Sequence, residues 1–480
     1  MKSNNDIRRK TATSNVGSVY NHQANNKQVS ANKVVKFKKK KTKIVKPKEK
    51  IINFIKALDY ELLLAAFFLV VFGLVMLYSI SAYSASVEMG NATFYFKKQL
   101  LYTVIGAVGV FVVSSIHYKW VKKFSSLIFF AVTVACLLVA SQLGSSAGGA
   151  QRRLNIGPIG LQPSEFMKIA MIIIIPTILC SYSNQIKGSW SESLWKPSRM
   201  SNRILNFLLN NEHTSIILEN NTRVKKVIEF FTCGWMQVLY ALGIGFLVVW
   251  KFTDNLSTAI IVAGIGGIVA SLTWRKKPFW KYLGIVMLIP LIKIIARMYV
   301  DYKMSIGHVY TKEALGFRLW RIFVWLNPEL DIDGTMQTTQ GIYAFSSGGF
   351  LGKGLGQGTQ KLTRIPEVQN DMILSAIMEE IGICGMLLIV ALYVILLHRL
   401  YVIAKEAPDL FSQLLVIGVF VHIALQVLCN MGVITGLLPN TGITLPFFSY
   451  GGTAILGLSV ELGLVLGIST RSKLKKQNLI

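Results

Sequence analysis

Acidic residues are scarce in this chain. Its 480 residues hold 23 Asp and Glu against 51 Lys and Arg, and charged residues of all kinds make up only 15%. A soluble domain usually carries about 25% charged residues. Cysteine is sparse too. Cys136, Cys180, Cys233, Cys384 and Cys429 stand singly, with no pair at metal-ligand spacing, and read as small apolar packing residues. The six histidines are scattered, which argues against a zinc site. The dyad alternation of a membrane β-barrel is missing, and so is any internal repeat.

Long apolar runs are what the chain does have. Hydrophobic residues fill 52% of it, more apolar surface than one soluble core of this length hides. A spanning helix needs about 20 apolar residues. Runs of that kind fall near 61–83, 99–116, 124–143, 165–182, 236–250, 256–273, 280–299, 373–397, 410–433 and 446–469. Helices are expected, because lipid offers backbone groups no partner outside a helix or a closed barrel. The expected fold is therefore an all-α membrane protein, a ten-span helical bundle. A long extracytoplasmic loop, 300–372, separates spans seven and eight.

Charge sets the expected orientation, since cytoplasmic loops are rich in Lys and Arg. With the N-terminus inside, the inner segments hold Lys119, Lys122 and Lys123, then Arg275, Lys276, Lys277 and Lys281, then Arg399 and Lys405, and last Arg471, Lys473, Lys475 and Lys476. Both termini are then cytoplasmic. Residues 1–50 are polar and basic and do not resemble a secretory signal peptide. Residues 1–58 carry 16 Lys and Arg against Asp6 and Glu49, half of the net charge of +28. Such composition predicts a disordered cytoplasmic tail that binds anionic inner-leaflet lipids. The tail lacks interleaved aromatics, so nucleic acid is not an expected partner. The membrane region is 59–470, with a long cytoplasmic loop at 183–235, and 471–480 forms a C-terminal cytoplasmic tail.

Two outer regions stand apart. In the first, Gly148 to Pro158 reads as a tight loop, and Pro163-Ser164-Glu165 as a helix start. Glu165 and Lys168 lie at i, i+3, suited to an ion pair at the membrane edge. In the second, the glycine-rich run Gly352 to Gly358 surrounds Lys353, and Ile365 to Asp371 leads into the eighth span. Glycines of this kind let backbone N–H groups approach phosphate oxygens, although a flexible turn is their commoner meaning. Asp371 falls at the outer membrane surface. It suits a general base for a sugar hydroxyl, a ligand for a divalent cation such as magnesium or manganese, or a cap for the eighth helix. Lys293 and Arg297 share a face of the seventh span, where they snorkel or line a polar cavity. Glu379, Glu380 and Glu461 are read as structural pairing partners inside the bundle.

These residues resemble a known family. Gly149-Ala150-Gln151-Arg152, then Gln162-Pro163-Ser164-Glu165 and Lys168, are similar to the first signature of the SEDS family, which includes FtsW, RodA and SpoVE. Pro366 to Asp371 with Glu379-Glu380-Ile381-Gly382 resembles the second signature, and Leu438 to Thr453 the third and most specific. The resemblance covers about 59–470. It implies a glycosyltransferase that polymerises lipid II into peptidoglycan at the outer face of the bacterial plasma membrane, with division first among its roles and elongation or sporulation next. It implies a class B penicillin-binding protein as partner and a divalent cation, Mg or Mn, as cofactor. Asp371 matches the family's catalytic aspartate. Arg152, Lys353, Glu367, Gln369, Glu165 and Lys168 are the expected substrate-binding residues, and Arg364 adds nearby charge. The chain departs from the family pattern at Arg153, Thr363, Asp254-Asn255 and Met372-Ile373-Leu374, which bears on lipid-tail fit and rate more than on reaction type.

Two other classes compete. A lipid II flippase would need ionisable residues deep in several spans, for which Lys293 and Glu461 are the candidates. A scaffold that only recruits its transpeptidase would tolerate divergent motifs.

Overall fold

The computed structural model of the chain describes residues 47–138, 144–147, 150–156, 159–183, 226–227, 230–231, 233–253, 255–272, 292, 295–296, 298–300, 303–304, 320–328, 332–362 and 368–477. The expected seventh span, with Lys293 and Arg297, and most of the 183–235 loop lie outside the described residues.

The helices follow the apolar runs. They are α1 (Pro47–Lys56), α2 (Tyr60–Met89), α3 (Phe94–Ser115), α4 (Tyr118–Lys123), α5 (Ser125–Leu138) and α6 (Pro163–Ser183). Next come α7 (Gly234–Phe252), α8 (Leu256–Ser271), α9 (Ile332–Ser347), α10 (Ile373–Glu406), α11 (Leu410–Ile434) and α12 (Gly452–Lys476). Among the described residues, seven of these are long and apolar enough to cross a membrane, and α5 and α8 are shorter apolar helices. Helix ends carry local signals. Asp59 accepts from the Leu62 N–H at the start of α2, Gly90 closes that helix with φ 67°, and Asp409 opens α11 in a capping box with Ser412.

Two expectations about this architecture are corrected. The stretch read as a tight loop contains three antiparallel strands, β1 (Gly144–Ala147), β2 (Ala150–Ile156) and β3 (Ile159–Leu161), in that spatial order. The glycines and Gly157-Pro158 that suggested a loop fall between strands, while Leu154, Ile156, Ile159 and Leu161 pair in register across β2 and β3. The last span starts at Gly452 and not near 446. Pro446 to Tyr450 is apolar but not helical, with Phe447 at φ 68° and Phe448 fully buried. Its hydrophobicity serves a coil packed inside the bundle.

Packing follows the small residues. α12 packs most extensively on α3, α10 on α11 and α2, and α6 on α5, α8 and α7. Gly106 of α3 faces Ser459 and Gly463 of α12 faces Val113, the close helix approach that small residues allow in a membrane.

Two bonds between α2 and α10 serve as a ruler. At one end the Arg399 guanidinium holds the buried Asp59 carboxylate in two hydrogen bonds of 2.8 and 2.7 Å, with Lys473 3.3 Å away. At the other, the Ser79 hydroxyl donates to Glu380 across 2.6 Å. About 20 helical residues of α2 separate the two levels, roughly 30 Å and one hydrocarbon thickness.

Just past Glu380, on the Arg399 side, α10 breaks. Gly382 has φ 63° and ψ −165°, so a short helix ending at Ile381 joins the main span through a non-helical residue. The freed backbone groups find partners in the segment after α9. Lys353 and Gly354 N–H donate to the Glu379 and Glu380 carbonyls, and Ile383 and Cys384 N–H donate to the Gly349 and Phe350 carbonyls. Irregular backbone at this depth requires such pairing within the protein. Gly352 is needed there: its φ is 80°, and a Cβ would collide with the Glu380 backbone.

Candidate active site

Asp371 lies in the turn that leads into α10. The N-cap of that helix is Met372, so Asp371 stands one residue ahead of the cap position. Asp371 is half-buried. The Gln337 side-chain N–H of α9 donates to Asp371 Oδ1 across 3.2 Å. The Asn440 amide, from the third signature, donates to Gln337 Oε1 across 2.8 Å. An amide relay thus runs from the third signature through α9 to the carboxylate of the second.

The backbone around Asp371 is fixed as firmly. Asn430, buried near the end of α11, donates from Nδ2 to the Asp371 carbonyl and to the Ile443 carbonyl, each at 2.8 Å. The Gln369 carbonyl accepts from the Tyr450 N–H at 2.9 Å. The third-signature coil is itself clamped. Gln99 of α3 donates to the Ser449 carbonyl and accepts from the Gly451 N–H, the Ser257 hydroxyl donates to the Thr441 carbonyl, and the Tyr393 hydroxyl donates to the Pro446 carbonyl. Gly442 faces the carboxylate. A Cβ there would sit 3.9 Å from Asp371 Oδ2, so glycine keeps that approach clear of a side chain. Some 20 residues of α11 separate Asp409 from Asn430, which sets Asp371 roughly 30 Å from the Asp59 end of the bundle. The carboxylate stands at a membrane edge.

Other expected residues divide into three groups. Glu165 and Lys168 form the expected pair, at 2.7 Å, with Lys168 only 1% exposed. That pair is tied to the third signature, because the Gln162 N–H donates to the Thr453 hydroxyl, which donates to the Gly160 carbonyl. Lys353 is held away from Asp371, at the far end of the short helix. Its ammonium meets the buried Glu379 carboxylate at 2.6 Å, and Glu379 also accepts from the Thr359 N–H and hydroxyl and the Gln360 N–H. Arg152 lies in β2, and Glu367 and Arg364 lie outside the described residues.

The three glutamates read as structural pair as expected: Glu379 with Lys353, Glu380 with Ser79, and Glu461 with His422 at 2.8 Å. Residues that sequence reasoning did not place in the site are Gln337, Asn430 and Asn440. Asn430 carries the clearest signal, a polar amide inside an apolar helix.

The arrangement is a half-buried carboxylate at one end of the bundle, oriented by two amides and bracketed by a clamped polar loop, in a helical bundle of many spans. Such a fold is that of a multi-span helical membrane protein. Residues 60–474 match the model of the family described as cell cycle protein, FtsW/RodA/SpoVE, and the chain belongs to this SEDS family. It is 31% identical over 418 residues to a probable peptidoglycan glycosyltransferase FtsW of Trichlorobacter lovleyi, covering 87% of this chain and 94% of that one. It is 30% identical to the stage V sporulation protein E of Bacillus subtilis, covering 86% and 98%. Its fold matches a chain of a solved peptidoglycan synthase complex with a TM-score of 0.60 at 20% identity, over 87% of this chain and 98% of that chain. It also matches the rod shape determining protein RodA of Thermus thermophilus, with a TM-score of 0.51 at 19% identity, over 86% and 96%.

Proposed function

We propose that this chain is a peptidoglycan glycosyltransferase that polymerises lipid II at the outer face of the plasma membrane. The observation that carries the reading is Asp371, a carboxylate at the membrane edge opposite the Asp59 end, oriented by Gln337 and Asn440. The inner face is assigned to the Asp59 end by its excess of Lys and Arg.

The reaction joins the 4-hydroxyl of an acceptor sugar to the anomeric carbon of the lipid-linked donor. Asp371 takes the hydroxyl proton as the new C–O bond forms, and undecaprenyl pyrophosphate leaves with the electrons of the broken bond. Gln337 holds the carboxylate so that one oxygen keeps a fixed orientation during this transfer. Arg152 and Lys353, by charge and placement, with Glu367, Gln369, Glu165 and Lys168 are the proposed substrate contacts, Lys353 on leaving the Glu379 carboxylate, and basic side chains balance pyrophosphate charge.

A divalent cation, Mg or Mn, fits the donor set. Among the described residues no three His, Cys, Asp or Glu converge into a fully protein-made cage. Magnesium typically uses one or two carboxylates with phosphate oxygens and water. Asp371 is the carboxylate that would hold it, and buried oxygens of Gln369, Asn430 and Thr441, which have no hydrogen-bond partner, lie on the residues that bracket it. When bound, the cation would supply positive charge to the pyrophosphate.

The FtsW and SpoVE relatives favour division, with sporulation and elongation next. A class B penicillin-binding protein is the proposed partner, in keeping with the synthase complex whose chain shares this fold. The basic tail, residues 1–58, is proposed to hold anionic inner-leaflet lipids. The second reading, a lipid II flippase, draws on the His422–Glu461 pair inside the bundle.

One experiment tests both. The full chain with its partner receives lipid II and a divalent cation, and glycan strands are resolved on a gel. Asp371→Asn should leave the protein folded and lower polymer formation about 100-fold or more. Polymer at the wild-type rate from that variant would remove Asp371 from the chemistry. Lipid II crossing vesicles without polymer would favour the flippase.

A further inference from the structure

The segment that fills the break in α10 has an apolar outer surface. Phe350, Leu351 and Leu355 are 66%, 75% and 60% exposed. They sit on a backbone that cannot swing away, because Gly349, Phe350, Lys353 and Gly354 are hydrogen-bonded to residues 379–384, and Glu379 clamps Lys353 and Thr359. Large apolar side chains held rigidly in the open call for an explanation.

Depth supplies one. The segment pairs with α10 beside Glu380, whose bond to Ser79 marks the outer level of the ruler, about 30 Å from Asp59. At that level the surroundings are the boundary between acyl chains and headgroups. The apolar surface is also continuous with the span below. Phe350 pairs through its backbone with Cys384, and Ile383, Leu387 and Leu388 of α10 are exposed just beneath. Exposed leucines on a membrane helix face lipid, and the loop carries the same surface upward without a polar interruption until Lys353.

We propose that Phe350, Leu351 and Leu355 form an interfacial wedge that inserts into the acyl-chain boundary of the leaflet on the Asp371 side. The occupant of this surface is bulk lipid. Lys353 lies between Leu351 and Leu355, its ammonium turned onto Glu379, and the segment pairs with the backbone on both sides of the break at Gly382. Rigid anchoring there fixes the segment that follows α9, and with it Gln337 of α9, at constant height over the bilayer. The inference does not depend on which reaction Asp371 performs.

The test is fluorescence depth measurement on the full chain in nanodiscs. Phe350→Trp and Leu355→Trp are prepared separately, and wild-type emission is subtracted to remove the nine native tryptophans. With lipids brominated near the top of their acyl chains, the added emission should be largely lost, while aqueous iodide leaves it nearly unchanged. Strong iodide quenching with no bromolipid effect would place the loop in water and overturn the proposal. Insensitivity to both quenchers in the isolated chain would mean protein covers the segment, and bromolipid quenching abolished by adding the partner would assign the surface to the partner. Either result also overturns it. Two separate positions guard against a single variant that fails to fold.

Discussion

Gln337 donates its side-chain N–H to Oδ1 of Asp371 across 3.2 Å, and it does so while accepting from Asn440 at 2.8 Å. The second contact decides the first. An amide whose oxygen is already engaged presents its NH2 in a defined direction, so the Asp371 carboxylate meets an oriented donor. The third signature, the most specific part of the sequence, therefore acts on the Asp371 carboxylate at one remove.

Gln337→Leu keeps much of the side-chain volume and deletes both bonds. A hydrogen bond to a charged group contributes about 1.5–3 kcal/mol, and if that is expressed in the transition state, kcat falls roughly 10- to 150-fold. The KM for lipid II should change little. Asn440→Ala should cost less, and the double variant little more than Gln337→Leu, because the two act as one unit. Steady-state polymerisation kinetics check all three. Additive losses would dissolve the relay into two independent contacts.

These contacts explain what the sequence does and does not disclose. Helices over most of the apolar runs were legible because run length and lipid leave few alternatives, and the Glu165–Lys168 pair because i, i+3 spacing on a helix is local. The relay joins residues 34 and 103 positions apart, and no periodicity encodes such pairing. Pro446 to Tyr450 misled for a physical reason: apolar side chains buried in a coil look like the start of a span. The strands beside Arg152 were hidden because the glycines and proline between them dominate the pattern. Asn430 was visible as a polar residue in an apolar run, but only the fold shows that its amide joins Asp371 to Ile443.

Lys353 was expected to meet pyrophosphate, and the structure seats it on Glu379. If the clamp is its main role, Lys353→Met should lower thermal stability by roughly 1–3 kcal/mol, and Glu379→Ala, which strips the acceptor from four donors, by roughly 3–5 kcal/mol. The double variant should lose little beyond Glu379→Ala. Thermal melts in detergent measure the stability, and polymerisation below the melting range measures what remains of function. A Lys353→Met protein with wild-type stability and a raised KM would return the lysine to the substrate.

At the opposite end, Asp59 gives a pH dependence of known sign. Burial pushes its carboxyl up, but hydrogen bonds from Arg399 and Ser469 and the charges of Lys473 and Arg399 outweigh burial and lower its pKa from 3.8 to about 2. A depressed folded-state pKa stabilises the fold above the unfolded value, and that stabilisation is lost as pH falls from about 4 toward 2. The contribution at neutral pH is about 2 kcal/mol. Asp59→Asn should melt earlier than wild type at pH 6, and the gap should narrow as pH drops through this window. A gap that stays constant to pH 2.5 would refute the assignment.

The His422–Glu461 pair separates structural from transport roles. Both side chains are buried, their bond is 2.8 Å, and His422 Nε2 and Glu461 Oε1 have no hydrogen-bond partner. A buried pair of this kind costs desolvation on both sides, so removing one member is worse than removing both. His422→Leu or Glu461→Leu alone should destabilise by roughly 3–5 kcal/mol, whereas the double leucine variant should regain most of the loss. If the pair only packs α11 against α12, the double variant keeps its polymerisation rate, because Asp371 lies at the membrane edge and the pair does not touch it. If ionisable groups inside the bundle carry lipid II across the bilayer, the double variant stays folded yet loses transport in sealed vesicles. Stability and transport are measured on the same protein, so a folding defect cannot pass for a lost function.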